Sequence, residues 1–416
     1  MKKIKLDTFL NFNPSESLVG LKEVKKIPLN ALNTNLRKID YFEISKPVGG
    51  AKFRNGDTLV AKITPSLENG KTGLVKILDE GEVGLGSTEF IVLRANEHSD
   101  SNFIYYLARS PMFRERAISL MEGTSGRKRV NENSLRNTDF VLPALSVQRK
   151  IAHVLSVIDE KIELNLKMNV ELEQMAQRIY EYWFLQFDFP NEKGKPYKSS
   201  GGKMVLNKIL KSEIPVGWQV RKLGEVSEIR NGGTPSTTDK SNYGGNISWA
   251  TPKDLSVSGE KFFFKGQRNI SEKGAKSLGG IPIPKDSILL TSRAPIGLIA
   301  INKTETYTNQ GFKNIVPNSE MISVEYLFYC LSKGIKNLIN LGGGTTFKEI
   351  SKSVLEEYTI IVPESSQLCE FNVHVEPIFK KIQQNIKENK SLLDLRDFLL
   401  PMLMNGQINV DNIQVN

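Results

Sequence analysis

Two loops of this 416-residue chain combine glycine, threonine and basic residues. Gly123-Thr124-Ser125-Gly126-Arg127-Lys128-Arg129 lies in the first half, and Leu341-Gly342-Gly343-Gly344-Thr345-Thr346, with Lys348 just beyond, lies in the second. Glycine lets backbone amides come close to a phosphate, and arginine or lysine neutralises its charge. A solvated turn explains either loop alone, but corresponding positions in two halves favour phosphate contact. Asn231-Gly232-Gly233-Thr234-Pro235-Ser236, Trp249-Ala250-Thr251-Pro252-Lys253-Asp254, Ser292-Arg293 and Asn309-Gln310 carry the side-chain types that read base edges. Ordinary turn chemistry accounts equally well for any one of them.

Other chemistries are excluded or weak. Glu68-Asn69-Gly70-Lys71-Thr72 ends like a phosphate-binding P-loop, but Pro65 stands where that motif needs its first glycine. Asn13-Pro14-Ser15 is not the Asn-Pro-Pro-aromatic motif of an amino-methyltransferase. No Pro-Asp followed by Glu-x-Lys marks a nuclease, and no nucleophilic triad or carboxylate pair stands out. Cys330 and Cys369 cannot form a disulfide framework, which fits a reducing cytoplasm. His98, His153 and His374 lie too far apart in sequence for a zinc cluster. The chain therefore reads as non-catalytic. No apolar run approaches the roughly 18 residues of a membrane helix, and the basic start lacks a signal region. With 56 Lys+Arg against 46 Asp+Glu, the net charge of +10 makes a polyanion the first partner to consider.

The elements that position these loops follow from an internal repeat with an offset of 220 residues. Phe140-Val141-Leu142-Pro143 precedes one long helical pattern, and Thr359-Ile360-Ile361-Val362-Pro363 precedes the other. Ile158/Ile378, Ile162/Ile382, Asn165/Asn385, Asn169/Asn389 and Leu172/Leu392 then match without a gap. Alternating steps of four and three from residue 158 to 183 define a heptad seam, so the two helices are expected to pair. Buried Asn165, Asn169, Asn385 and Asn389 would fix their register. Ser146 and Ser366 are expected as N-caps, and Pro377 is expected to kink or restart the second helix. From Ser146 to Phe184, about 39 residues give a helix of roughly 58 Å. Upstream, Gly56-Asp57-Thr58-Leu59 resembles Lys285-Asp286-Ser287-Ile288, and Phe103-Ile104-Tyr105-Tyr106-Leu107 resembles Tyr326-Leu327-Phe328-Tyr329-Cys330.

The whole pattern resembles the specificity subunit of a type I restriction–modification system. The residues that carry the resemblance are Gly56-Asp57-Thr58-Leu59-Val60-Ala61-Lys62-Ile63-Thr64-Pro65, Gly86-Ser87-Thr88-Glu89-Phe90-Ile91-Val92-Leu93-Arg94, Ile214-Pro215-Val216-Gly217-Trp218 and Gly232-Gly233-Thr234-Pro235-Ser236. Tyr180-Glu181-Tyr182-Trp183-Phe184 and Leu399-Leu400-Pro401-Met402-Leu403-Met404-Asn405-Gly406 close the helices. The first half lacks the Gly-Trp motif and begins with the variant Asn11-Phe12-Asn13-Pro14. The resemblance implies an α+β chain with a pseudo-two-fold repeat, in which two mixed α/β target recognition domains are separated by two long antiparallel helices forming a coiled coil. The boundaries expected are 1–145 and 214–364 for the recognition domains, 146–190 and 365–404 for the helices, 191–213 for a flexible basic linker and 405–416 for a tail.

The resemblance further implies double-stranded DNA as ligand, with an asymmetric bipartite target and a gap set by the helices. Two modification (methyltransferase) subunits and restriction subunits would be the protein partners. S-adenosylmethionine, ATP and Mg²⁺ would sit on those partners, with no cofactor in this chain. Expected DNA contacts are Lys62, Asn69, Lys71, Arg127 and Lys128 in the first domain. In the second they are Thr234, Ser236, Lys253, Arg293, Gln310, Thr345 and Lys348. The alternatives are a stand-alone DNA methyltransferase or nuclease, or a coiled-coil scaffold that binds no DNA. Charge favours the first reading: residues 1–145, 191–213 and 214–364 carry the positive excess, and the two helical segments are slightly acidic.

Overall fold

The computed structural model describes residues 1–124, 126–342 and 349–414. It divides into two compact units, Met1–Met168 with Gln384–Asn416, and Asn169–Gln383. Each unit thus combines a mixed α/β part with a segment of each long helix.

In unit 1, strand Lys2–Lys5 pairs antiparallel with Asp139–Leu142, and the short helix Leu6–Phe9 turns the chain into an antiparallel sheet. The strand order in that sheet is Leu10–Phe12, Phe90–Ala95, Thr58–Ala61, Thr72–Leu74. A second four-stranded sheet orders Glu43–Ser45, Val24–Ile27, Gly84–Gly86 and Ala51–Phe53. Helix Ser101–Arg109 starts where the Asp100 carboxylate accepts the Phe103 N–H at 2.9 Å, and its residues 103–108 are buried. They join Phe9, Leu93, Phe113 and Phe140, and from the long helices Leu155, Leu400 and Leu403, in one core.

Unit 2 repeats this plan. Gln219–Lys222 pairs antiparallel with Thr359–Val362, and Leu223–Val226 is the short helix. The sheet orders Ser227–Asn231, Phe312–Pro317, Ile288–Thr291 and Ile299–Asn302, with Phe262–Phe263 added at the edge. The repeat is therefore one of topology as well as sequence. Lys2–Lys5 takes the place of Gln219–Lys222, so the first half needs no Gly-Trp motif to begin its sheet. Where that motif is present, Gly217 has φ +92°, and a Cβ there would lie 1.8 Å from Glu364 Oε1. Trp218 packs on Phe184, Phe187 and Phe189.

The long helices span Leu145–Tyr180, with a π-helical turn at Glu181–Leu185, and Ser365–Met404. Within unit 1 they run antiparallel: Asn165 Nδ2 donates to Asn389 Oδ1 at 2.9 Å and to Glu388 Oε2 at 2.8 Å, and Asp159 meets Arg396. Ile158, Ile162, Asn165, Ala176 and Trp183 of the expected seam are buried, as are Ile378, Ile382, Asn385, Asn389, Arg396 and Leu403. Tyr180 and Leu400 are buried where the heptad count expected Ile179 and Leu399, because the true helical repeat is longer than the heptad's.

Three expectations are corrected. The first helix begins at Leu145, with Val147 N donating to Ala144 O, so Ser146 lies inside its first turn. Ser366 lies inside the turn that starts at Ser365. Pro377 does not restart the second helix, which continues through it: Pro377 and Val373, whose carbonyl loses its N–H partner, lie on an exposed face where water can take that bond. Residues 191–213 are folded: Asp188 accepts from Ser199 N and Oγ at 2.7 and 2.6 Å, Phe189 stacks on Tyr197, and Met204–Asn207 forms a hairpin with Ser212–Pro215. Lysine and glycine content suggested flexibility, but it did not register the aspartate and aromatic anchors.

Candidate nucleic-acid interface

One edge of each repeated sheet gathers the polar loops. It lies past the ends of the first and third strands and before the second strand begins. In unit 1 this edge carries Asn13, Glu89 and Lys62. Lys62 N donates to Glu89 O, and Val130 N donates to Lys62 O, which ties strand Arg129–Val130 to the sheet. Lys62 Nζ pairs with Glu132 Oε1 at 2.7 Å, and Asn13 Nδ2 donates to the same carboxylate. Thr64 N donates to Lys128 O, and Lys128 N donates to Thr64 Oγ1. Arg129 pairs with Glu89 at 2.7 Å, holding that carboxyl below its ordinary range. Arg127 and Lys128 are exposed beside this network.

The structure thus brings Lys62, Arg127 and Lys128 together. Asn69 is exposed on the turn 64–71, while Lys71 Nζ bonds Leu29 O at 3.4 Å. A cleft of about 370 Å³ adjoins the edge, lined by Asn13, Glu16, Lys52, Lys62, Thr88 and Phe90 among others.

In unit 2 the equivalent edge is built from five interlocked loops. Gly233 N donates to Thr308 O at 2.8 Å, and Trp249 Nε1 donates to Gly233 O at 3.1 Å. Asn309 N donates to Ala250 O, Ser292 N to Gly311 O and Ile350 N to Ser292 O. A Cβ at Gly232 would lie 1.9 Å from Asn309 O, so the loops touch through backbone and only glycine fits. Thr234 and Ser236 lie on the first loop, with Ser236 Oγ 2.8 Å from Thr238 Oγ1. Lys253 is exposed in the first turn of helix Pro252–Ser258, which a Thr251–Asp254 capping box fixes. Gln310 is exposed at the tip of the Asn309–Gly311 turn.

Arg293 Nε donates to Glu349 Oε2 at 3.0 Å, and the buried Lys313 holds Glu349 Oε1 at 3.1 Å. Burial pushes the Glu349 carboxyl up, but Lys313 and Arg293 more than offset this and its pKa is lowered. Thr234, Ser236, Lys253, Arg293 and Gln310 therefore share one edge. Thr345 and Lys348 lie outside the described residues.

Sequence reasoning missed Asn13, Glu89, Arg129, Glu132, Lys313 and Glu349. Phe90 and Phe312 begin equivalent strands, so Glu89 occupies the position of Gly311, a correspondence that only the strand register reveals. Glu132 and Glu349 reach their partners only through folding. The helix asparagines occupy the pair: Asn165 and Asn385 are fully buried, Asn389 nearly so and Asn169 half-buried.

A family model for the type I restriction modification DNA specificity domain matches residues 21–174 and again 215–389. The chain belongs to this family. The specificity subunit of the type I restriction enzyme HindI from Haemophilus influenzae is 27% identical, and the alignment covers 91% of this chain and 93% of that one. The MjaIX specificity subunit from Methanocaldococcus jannaschii is 39% identical over 184 residues, 44% of this chain and 42% of its own. Among solved structures, the type I restriction–modification S subunit from M. genitalium shares the fold, with TM-score 0.56 and 16% identity, over 97% of this chain and 96% of that one. The double match places one copy of the specificity domain over most of the α/β part of each unit.

Proposed function

We propose that this specificity-family chain reads an asymmetric, bipartite site on double-stranded DNA, each unit's loop edge reading one half-site. The observation that carries the reading is the repeated sheet edge. Its position recurs in the two units, but its side chains differ: Asn13, Lys62 and Arg127–Lys128 in one, Thr234, Ser236, Lys253, Arg293 and Gln310 in the other. Different side chains at equivalent places select different bases. Thr345 and Lys348 complete the second set, and Asn69 and Lys71 the first.

The gap between half-sites is set by the two long helices, with Asn165, Asn169, Asn385 and Asn389 fixing register; because Asn165, Asn385 and Asn389 are buried in the pair, partners dock on the helices' exposed faces and not on these side chains. Two modification subunits and restriction subunits carry the chemistry. S-adenosylmethionine, ATP and Mg²⁺ bind there rather than here, and the assembly works in the cytoplasm. No helix among the described residues is long and apolar enough to cross a membrane.

Long-read methylation mapping in a host that carries this chain and its modification partner tests the reading. A split, non-palindromic motif is expected. A contiguous or palindromic motif, or methyl transfer by the purified chain alone, overturns it.

A further inference from the structure

The two units secure their long helices through different ions. Tyr106 and Tyr329 are equivalent in the repeat, and each donates its hydroxyl to a carboxylate on the first long helix. Tyr106 reaches Asp159 at 2.7 Å and Tyr329 reaches Glu173 at 3.1 Å. In unit 1 the matching cation, Arg396, comes from the second helix. The ion pair there joins helix to helix, and the α/β part adds Tyr106, the Asn35 carbonyl and the buried Arg37, which meets Glu160 and Glu163 of the first helix at 3.5 and 3.4 Å.

In unit 2 the cation is Lys261, which comes from the α/β part itself, just before strand Phe262–Phe263. Its side chain is 8% exposed. Its ammonium pairs with Glu173 and donates to the Tyr329 hydroxyl at 2.6 Å. It also lies 4.1 Å from the ring centre of Phe379, 4.3 Å from that of Tyr329 and 4.8 Å from that of Phe328. Glu173 belongs to the first long helix, Phe379 to the second, and Phe328 and Tyr329 to helix Val324–Leu341. One lysine head group therefore meets three helices within unit 2.

Burial draws this ammonium down to about 8 while Glu173 pulls the other way. A buried ion pair of this kind adds little net stability against an apolar replacement, and in some proteins its return is a fixed geometry. Three rings and one carboxylate around one ammonium leave it few seatings.

We propose that Lys261 is a positioning residue for target spacing: it fixes how the recognition part of unit 2 is seated on its helix segments, and so which gap between half-sites the chain accepts. This rests on the bipartite reading above. Lys261 touches no DNA in this account and acts through the seating alone.

The test uses the full chain co-purified with its modification subunits. Duplexes share both half-sites and differ in spacer by one base pair. Lys261→Met keeps length and apolar contact and removes the charge; Tyr329→Phe removes only the hydroxyl and serves if the first variant fails to fold. The variants should modify the wrong spacer about tenfold better relative to the right one, within the roughly hundredfold that a 1 Å misplacement from a distant substitution can cost. Lys261→Arg should retain most of the discrimination. Hydrogen exchange at residues 260–264 and 324–331 should rise in the variants with unit 1 unchanged. Spacer discrimination equal to wild type in a folded variant overturns the proposal. Unchanged exchange overturns it as well, and this readout decides even where the wild-type complex modifies no bipartite site, a result that would strike the proposed function instead.

Discussion

Arg396 Nη1 donates to Asp159 Oδ1 at 2.7 Å, and neither side chain is more than 3% exposed. The guanidinium also donates to Asn35 O and to Asp397 Oδ1, and Asp159 accepts from Tyr106. Removing one partner strands a buried charge. Asp159→Ala should destabilise the chain by about 3–5 kcal/mol, whereas Asp159→Leu combined with Arg396→Leu should cost much less. Urea denaturation of the two variants checks this; equal losses would show that the pair itself is strongly stabilising.

Gly217 combines a left-handed φ with a close approach to Glu364. Gly217→Ala should lower stability by roughly 1–3 kcal/mol. The loss should show as a lower melting temperature in a thermal scan. A companion Glu364→Ala substitution relieves only the contact, so a residual loss measures the backbone strain.

Glu16 accepts from Arg54 Nε and Nη2 and from Arg94 Nη1 at 2.7–2.9 Å. Arg54 first, and Arg94 with it, hold its carboxyl down at about 2 against an ordinary 4.5. The folded pKa lies below the unfolded one, so this contribution to stability is complete above pH 4.5 and fades as pH falls towards 2. Denaturation midpoints between pH 6 and pH 2.5 should fall less steeply for Glu16→Gln than for wild type.

Lys253 and Arg127 are exposed on the two loop edges. If each meets a phosphate, Lys253→Ala or Arg127→Ala should weaken DNA binding similarly across sequences and reduce the salt slope by about one. Arg293→Ala should instead change which sequence is preferred. Binding titrations across ionic strength separate the two classes, and unchanged affinity and preference remove the residue from the interface.

Lengthening the first long helix by one heptad preserves the apolar seam while displacing its partners. The accepted spacer should lengthen, or modification should cease. Methylation mapping reads the outcome, and an unchanged motif would exclude the helices as the spacing element.

The repeat, the two long helices and the apolar seam were legible in the amino-acid sequence because each is a local or periodic pattern. Ile158, Ile162 and their counterparts at 378 and 382 recur at helical spacing, the pattern of an apolar helix face, and all four are buried. The candidate contacts were legible by residue type, since glycine-rich turns and basic clusters advertise loops. What surrounds each contact was decided only by the tertiary structure. Lys62 meets Glu132 from 70 residues away, and Lys261 meets Glu173 from 88 residues before it. Such partners share no spacing rule, and their pairing depends on a sheet register and a helix crossing that exist only once the chain has folded. The folded segment at 191–213 makes the same point: its lysines and glycines are visible in composition, while Asp188 and Phe189 become anchors only when Ser199 and Tyr197 are brought back against them.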